Sequence, residues 1–227
     1  MAGALPTLHP PTAAPVASRP LLRGWLHMGA ALAMAVGGPM LAVRAPSPGS
    51  AAALAIYSLC MVSLFGVSAL FHRVRWGPRA RRAMRRADHC TIFLGIAGTY
   101  TAVAALALSG WAQILVLVLV WTGAAAGIVI RQVWLDLPKW AVALPYVVVG
   151  WSALAVLPQL LHGLGGGGFA LLVAGGVAYS CGALVYARRR PDPVPGVFGY
   201  HEVFHTLTVV GATLHYCVLA FFALPAH

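Results

Sequence analysis

The sequence predicts an all-α integral membrane protein, a bundle of seven transmembrane helices with a cytoplasmic N-terminus and an outside C-terminus. Three observations predict it. Of 227 residues, 60% are hydrophobic and only 8% are charged, whereas a soluble domain carries about 25% charged residues. The apolar residues gather into runs of the roughly 20 residues that cross a bilayer. The basic residues sit almost entirely in alternate gaps between those runs, which fixes an orientation.

The runs cover about 24–43, 51–71, 88–108, 111–130, 140–160, 168–187 and 202–224. The first follows Arg23 and is separated from the second by Pro46 and Pro48. The second ends at His72, before seven arginines between Arg73 and Arg86. The third starts at Asp88 and closes at Ser109-Gly110, a turn signal. The fourth ends at Arg131, and Pro138 precedes the fifth. The glycine run from Gly165 to Gly168 separates the fifth from the sixth. Arg188, Arg189 and Arg190, then Pro191, Pro193 and Pro195, stand between the sixth and the seventh. None of these runs alternates polar with apolar residues, so helices and not barrel strands must satisfy the backbone in lipid.

The orientation comes from counting charge. Fourteen of the fifteen Lys and Arg lie on the side of the N-terminus, and Arg44 alone lies on the other. Basic residues accumulate on the cytoplasmic side. Removing or adding one span would scramble the split, so count and orientation support each other. Residues 1–22 are expected to form a disordered cytoplasmic tail, and 23–227 the membrane domain. Residues 1–18 hold four prolines and no Lys or Arg, unlike the basic start of a secretory signal.

The net charge of +11 is thus read as topology and as attraction for anionic lipid headgroups, chiefly at the Arg73–Arg86 loop, with no nucleic acid implied. Cys60, Cys90, Cys181 and Cys217 form no CxxC pair and read as small buried hydrophobes. Asn is absent and Lys139 is the sole lysine, the bias of a GC-rich gene. That points to a bacterial plasma membrane.

Ionisable residues at membrane depth are costly and mark function. His201 and His205 are four apart, so both imidazoles fall on one helical face. Ser68 and His72 are likewise four apart, at the end of the second run. With the second run ending inside and the third and seventh starting inside, His72, Asp88, His201 and His205 share one depth. His27, near the inner start of the first run, is a candidate to join them. Three histidines with an open position form the ligand set of a catalytic zinc site, and neutral imidazole suits zinc better than calcium or magnesium. Zinc would lower the pKa of a bound water towards neutrality. Asp88 would orient that water or take its proton, and Ser68 would support the shell or hold substrate. The alternative is that these groups bond to one another or face headgroup water. His201-Glu202-Val203-Phe204-His205 also satisfies H-E-x-x-H, which would make Glu202 the base of a zinc protease. His89 points about 100° away from Asp88 and is expected off the metal. His215 lies about 15 Å deeper than His205 and is expected to bond to a neighbouring helix.

Ser68-Ala-Leu-Phe-His72, Asp88 followed by Ile92-Phe-Leu-Gly-Ile-Ala-Gly-Thr-Tyr-Thr101, and Phe198-Gly-Tyr-His-Glu-Val-Phe-His205 resemble the hemolysin III family. That family is the bacterial branch of the progestin and adipoQ receptors. The resemblance covers the chain from about Arg19 to its end. It implies seven helices, zinc on His72, His201 and His205, Asp88 on the zinc-bound water, and Ser68 in the site. Adiponectin receptors and alkaline ceramidases share the constellation, so the resemblance implies a zinc-dependent hydrolase of an amide-linked lipid. It makes the H-E-x-x-H match coincidental. The family pattern of Glu and Asn shortly before a first-helix histidine is missing from Leu22-Arg-Gly-Trp-Leu-His27. Two other functions stay open: a membrane-homeostasis sensor or receptor with structural zinc, and the pore-forming cytolysis of the family name. A pore made by one copy would need a polar stripe along several helices, and these spans are apolar.

Overall fold

The computed structural model describes residues 20–225. The tail expected over 1–22 therefore lies, up to residue 19, outside the described residues, as do His9 and His227. Seven α-helices follow in order: α1 (Trp25–Val43), α2 (Pro48–Arg73), α3 (Pro78–Ala107), α4 (Gly110–Val133), α5 (Lys139–Gly150), α6 (Leu157–Arg188) and α7 (Tyr200–Val218). A 3-10 turn, Ser152–Val156, joins α5 to α6, and a π turn, Leu219–Ala223, follows α7. Among the described residues the one extended pairing is an isolated bridge between Val194 and Phe198.

Helix starts follow local chemistry. Ser47 caps α2 by accepting the Ser50 amide at 3.1 Å, and Pro48 sits where a missing N–H costs nothing. The same device, Pro78 after Gly77, starts α3. This start precedes the expected one at 88 by ten residues. The polarity of the arginines in 79–86 predicts a loop there, and the structure makes it helix. Arginine is a good helix former, and a helix can run on into the interface once its apolar part ends.

Six helical runs are long and apolar enough to cross a membrane: Trp25–Val43, Pro48–Arg73, Pro78–Ala107, Gly110–Val133, Lys139–Arg188 and Tyr200–Ala223. The spans expected at 140–160 and 168–187 both fall in the fifth run, which has 50 residues. The reason is that helical hydrogen bonding lapses at little more than one point. Gly165 has φ 65° and ψ 172°, a left-handed and extended combination that glycine alone adopts without strain. Trp151 Nε1 donates to Ser180 Oγ at 2.9 Å, joining residues that flank Gly165 almost symmetrically.

α1 packs on α2, α2 on α3, α3 on α4 and α6 on α7, and α1 also meets α7. The core holds Leu54, Tyr57, Met61 and Phe65 of α2 against Ala102 and Val103 of α3. Large apolar side chains such as Leu32, Leu59, Ile114, Val148 and Phe221 are exposed on the outside, which suits a lipid-facing surface. Cys60 and Cys90 are buried and Cys217 partly so, but Cys181 is exposed. On a lipid-facing helix an exposed thiol is still in apolar surroundings, so the expected burial does not hold there.

The α2–α3 pair carries Ser68, His72 and Asp88, and it closes around Gly98. A Cβ at Gly98 would lie 2.6 Å from Cys60 Cβ and 3.3 Å from Tyr57 Cα. Gly98→Leu is expected to force the two helices apart at a cost of about 1–3 kcal/mol. The thermal midpoint of the detergent-solubilised protein checks this, with a clear decrease expected.

Candidate metal centre

Two helices, α2 and α7, bring three imidazoles to one point. His72 ends α2, while His201 and His205 occupy successive turns at the start of α7. One ligand nitrogen from each of His72, His201 and His205 lies within 4.8 Å of the other two. The Nε2 atoms of His72 and His201 are 3.1 Å apart. The ring centroids of His72 and His205 are 5.0 Å apart, and those of His201 and His205 are 4.5 Å apart. A tetrahedral ion with Zn–N bonds of about 2.0–2.1 Å needs its nitrogens about 3.3 Å apart. The cluster is within a small side-chain adjustment of that, and three imidazoles leave a fourth position open. The donor set therefore fits zinc.

Asp88 and Ser68 are both buried beside this cluster, with the Ser68 hydroxyl in hydrogen-bonding reach of the Asp88 carboxyl. All five residues line one cavity of about 220 Å³. Its walls are mostly apolar and run up past Ile92, Ile96, Tyr100 and Trp151 to His215.

His27 lies outside the ligand trio but against it. Its ring stacks on that of His205, with centroids 3.8 Å apart and planes at 9°. Parallel planes at that separation cannot both contain one ion, so this ring packs on a ligand and does not join the ligands. His27 is 2% exposed, and neither ring nitrogen makes a well-formed hydrogen bond.

The remaining polar residues sort by partner. His89 Nδ1 lies 2.6 Å from Arg131 Nη2, and His215 Nε2 donates to the Leu172 carbonyl of α6 at 3.0 Å. Glu202 does not line the cavity. Its carboxylate receives Arg23 Nε, Arg23 Nη2 at 3.4 Å and the Gly199 amide at 2.9 Å. It caps α7 and ties it to the residue before α1, which leaves no free carboxylate for a protease base. Glu202→Gln is expected to cost about 2 kcal/mol of stability and to leave metal content unchanged. Thermal melting and elemental analysis of the same preparation check both halves.

Arg131 is the residue that sequence reading missed. By sequence it is one more topological charge, yet it is 1% exposed. Its guanidinium donates to the carbonyls of Trp134 at 2.7 Å and Leu135 at 3.0 Å besides meeting His89. It closes the end of α4 and fixes the His89 ring. No spacing in the sequence signals this, because its partners are main-chain atoms just past the helix.

Comparison with known proteins adds the family. The sequence profile described as "Haemolysin-III related" matches residues 16–216. "Hemolysin-3" of Bacillus cereus is 30% identical over 189 residues, covering 82% of this chain and 83% of that protein. "Hemolysin-3 homolog" of Bacillus subtilis (strain 168) is 30% identical over 165 residues, covering 72% and 74% respectively. No solved structure matches significantly.

Proposed function

This chain belongs to the haemolysin-III-related family of multi-pass bacterial membrane proteins, and from that premise we propose that it is a seven-crossing, zinc-dependent hydrolase of an amide-linked lipid. The observation that carries the reading is the meeting of His72, His201 and His205 beside Asp88 and Ser68 at one end of an apolar-walled cavity.

Seven crossings are supported by the length of the fifth run. Fifty residues as one straight helix would reach about 75 Å, against a hydrocarbon core of about 30 Å. The Trp151–Ser180 hydrogen bond and the packing of α5 on α6 require the chain to double back, and Gly165 lies midway. With that reversal all the Lys and Arg but Arg44 fall on one side, which supports a cytoplasmic N-terminus and an outside C-terminus.

In the proposed reaction His72, His201 and His205 hold the ion. Zinc there would supply Lewis acidity towards a carbonyl and water. Asp88 would accept a proton from the attacking water as its oxygen bonds to the carbonyl carbon, and would return it to the amine nitrogen as the C–N bond breaks. Ser68 keeps the Asp88 carboxyl oriented through their hydrogen bond. The apolar walls take an acyl chain and keep bulk water out. Lipid reaches the site sideways from the bilayer, and the arginines between Arg73 and Arg86 hold the protein against anionic headgroups.

A sensor with structural zinc is favoured by one feature. α7's principal packing partners are α6 and α1, so an ion shared by α2 and α7 would also clamp two helices. The cytolytic reading rests on the names of the relatives. The deciding experiment is fatty-acid release from a panel of N-acyl lipids by purified protein, with and without chelator. Release that stops on chelation is expected. Zinc present with no release from any of them would overturn catalysis and leave the clamp.

A further inference from the structure

The cavity carries a permanent positive charge in one place. Among the described residues, Arg85 is the one lysine or arginine that lines it. Arg85 stands on α3 one turn before Asp88, so its side chain lies just outward of the histidine cluster. Three other arginines near the site are committed. Arg131 is buried on His89 and two carbonyls, Arg23 is tied to Glu202, and the Arg73 guanidinium lies 3.5 Å over the Trp25 ring. Arg85 Nη1 meets Asp136 Oδ1 at 2.8 Å, but the two side chains are 37% and 86% exposed. An ion pair open to water in this way contributes little to stability. A ligand anion can therefore take the guanidinium from Asp136 at little cost.

Inward of Arg85 the chemistry changes. Asp88, Ile92, Ile96 and Tyr100 continue along the same face of α3. From Arg85 to Tyr100 that face spans about 22 Å. Half the hydrocarbon core of a bilayer is about 15 Å. The cavity is thus as long as one headgroup plus one chain reaching to the bilayer midplane. Its volume of about 220 Å³ is below the roughly 300–1,000 Å³ of pockets for drug-sized ligands, which leaves room for one chain and not two.

The geometry points to Arg85 as the anion-recognising residue of this cavity, so that the lipid it takes is a single-chain amphiphile with a phosphate or carboxylate beside the polar end of its chain. This rests on the reading of the cavity as a lipid site. The guanidinium fork matches both anions with paired hydrogen bonds. With the anion on Arg85, a carbonyl one turn deeper lies level with Asp88 and the three histidines. Asp136 then serves as the placeholder that holds Arg85 at the cavity mouth until ligand arrives.

The test uses the full-length protein in a neutral detergent and measures displacement of radiolabelled dodecyl phosphate by dodecyl phosphate, dodecanoate and dodecanol. For the wild type, at least one anion is expected to bind about tenfold or more tighter than dodecanol, a difference of about 1.4 kcal/mol. The better of the two anions identifies the headgroup as phosphate or carboxylate. Arg85→Gln should bind all three like dodecanol, Arg85→Lys should recover part of the preference, and Asp136→Asn should bind the anions at least as well as wild type. An anion preference that survives in Arg85→Gln overturns the proposal, as does equal binding of dodecanol by the wild type. His72→Ala separates this from the zinc reading. Its preference should persist without metal, and loss of preference there with retention in Arg85→Gln would place the anion on the metal and sink the assignment. Failure of every probe to bind, dodecanol included, would remove the lipid-cavity reading itself.

Discussion

Replacing His205 with alanine is expected to empty the metal site. Purified wild-type protein should carry about one zinc per chain, as a single site with three protein ligands requires, and His72→Ala and His205→Ala should carry nearly none. Structural zinc sites in small peptides bind with about 10–16 kcal/mol. Losing one of three protein ligands then removes about 4 kcal/mol, close to a thousandfold in affinity. His205 is the stronger test because it is 3% exposed and its ring is packed between His27 on one side and the His72 and His201 rings on the other. Alanine there removes a ligand and unseats three neighbouring rings. His89→Ala and His215→Ala are the controls. Both residues line the cavity, but their rings are engaged by Arg131 and by the Leu172 carbonyl, so metal content should not change. Elemental analysis of the five proteins decides it. Full zinc in His72→Ala and His205→Ala would mean that the histidines bond to one another and hold no ion.

Much of this architecture is legible in the sequence because lipid imposes few solutions. Apolar runs of spanning length must be helices, and α1, α2, α4 and α7 begin and end within a few residues of the runs. The site is legible by another route. His72, Asp88 and the pair His201 and His205 are far apart along the chain, but a shared depth brings them level, and three of them do meet. What could not be read depends on rotation about a helix axis or on main-chain partners. Charge counting treats Arg85, Arg86 and Arg131 alike. Only the phase of α3 decides that Arg85 faces the cavity, and only the two carbonyls after α4 decide that Arg131 is buried. The start of α3 at Pro78 was hidden for a related reason, since an amphipathic interfacial turn and a polar loop have the same composition. Gly165 shows the opposite limit. The sequence marks a turn somewhere in Gly165–Gly168, and the backbone confines the break to one residue.

Asp88→Asn is expected to abolish turnover while leaving zinc in place, and it separates chemistry from metal binding. Asp88 is 8% exposed and stands outside the three-nitrogen cluster. Its carboxyl lies within hydrogen-bonding reach of the Ser68 hydroxyl. Asparagine has the same shape and can keep that contact, so the fold and the histidine geometry should survive. It cannot accept a proton. General-base catalysis contributes about 10²–10⁴-fold, and a loss of that size is expected in the initial rate of fatty-acid release. Ser68→Ala should lose less, about tenfold, because it frees the carboxyl without removing it. The two measurements, rate and zinc content, have three informative outcomes. Zinc retained with the rate lost assigns Asp88 to proton transfer. Zinc lost together with the rate makes Asp88 a ligand and the site a four-ligand one, closed in the manner of structural sites. Zinc and rate both retained would take Asp88 out of the reaction.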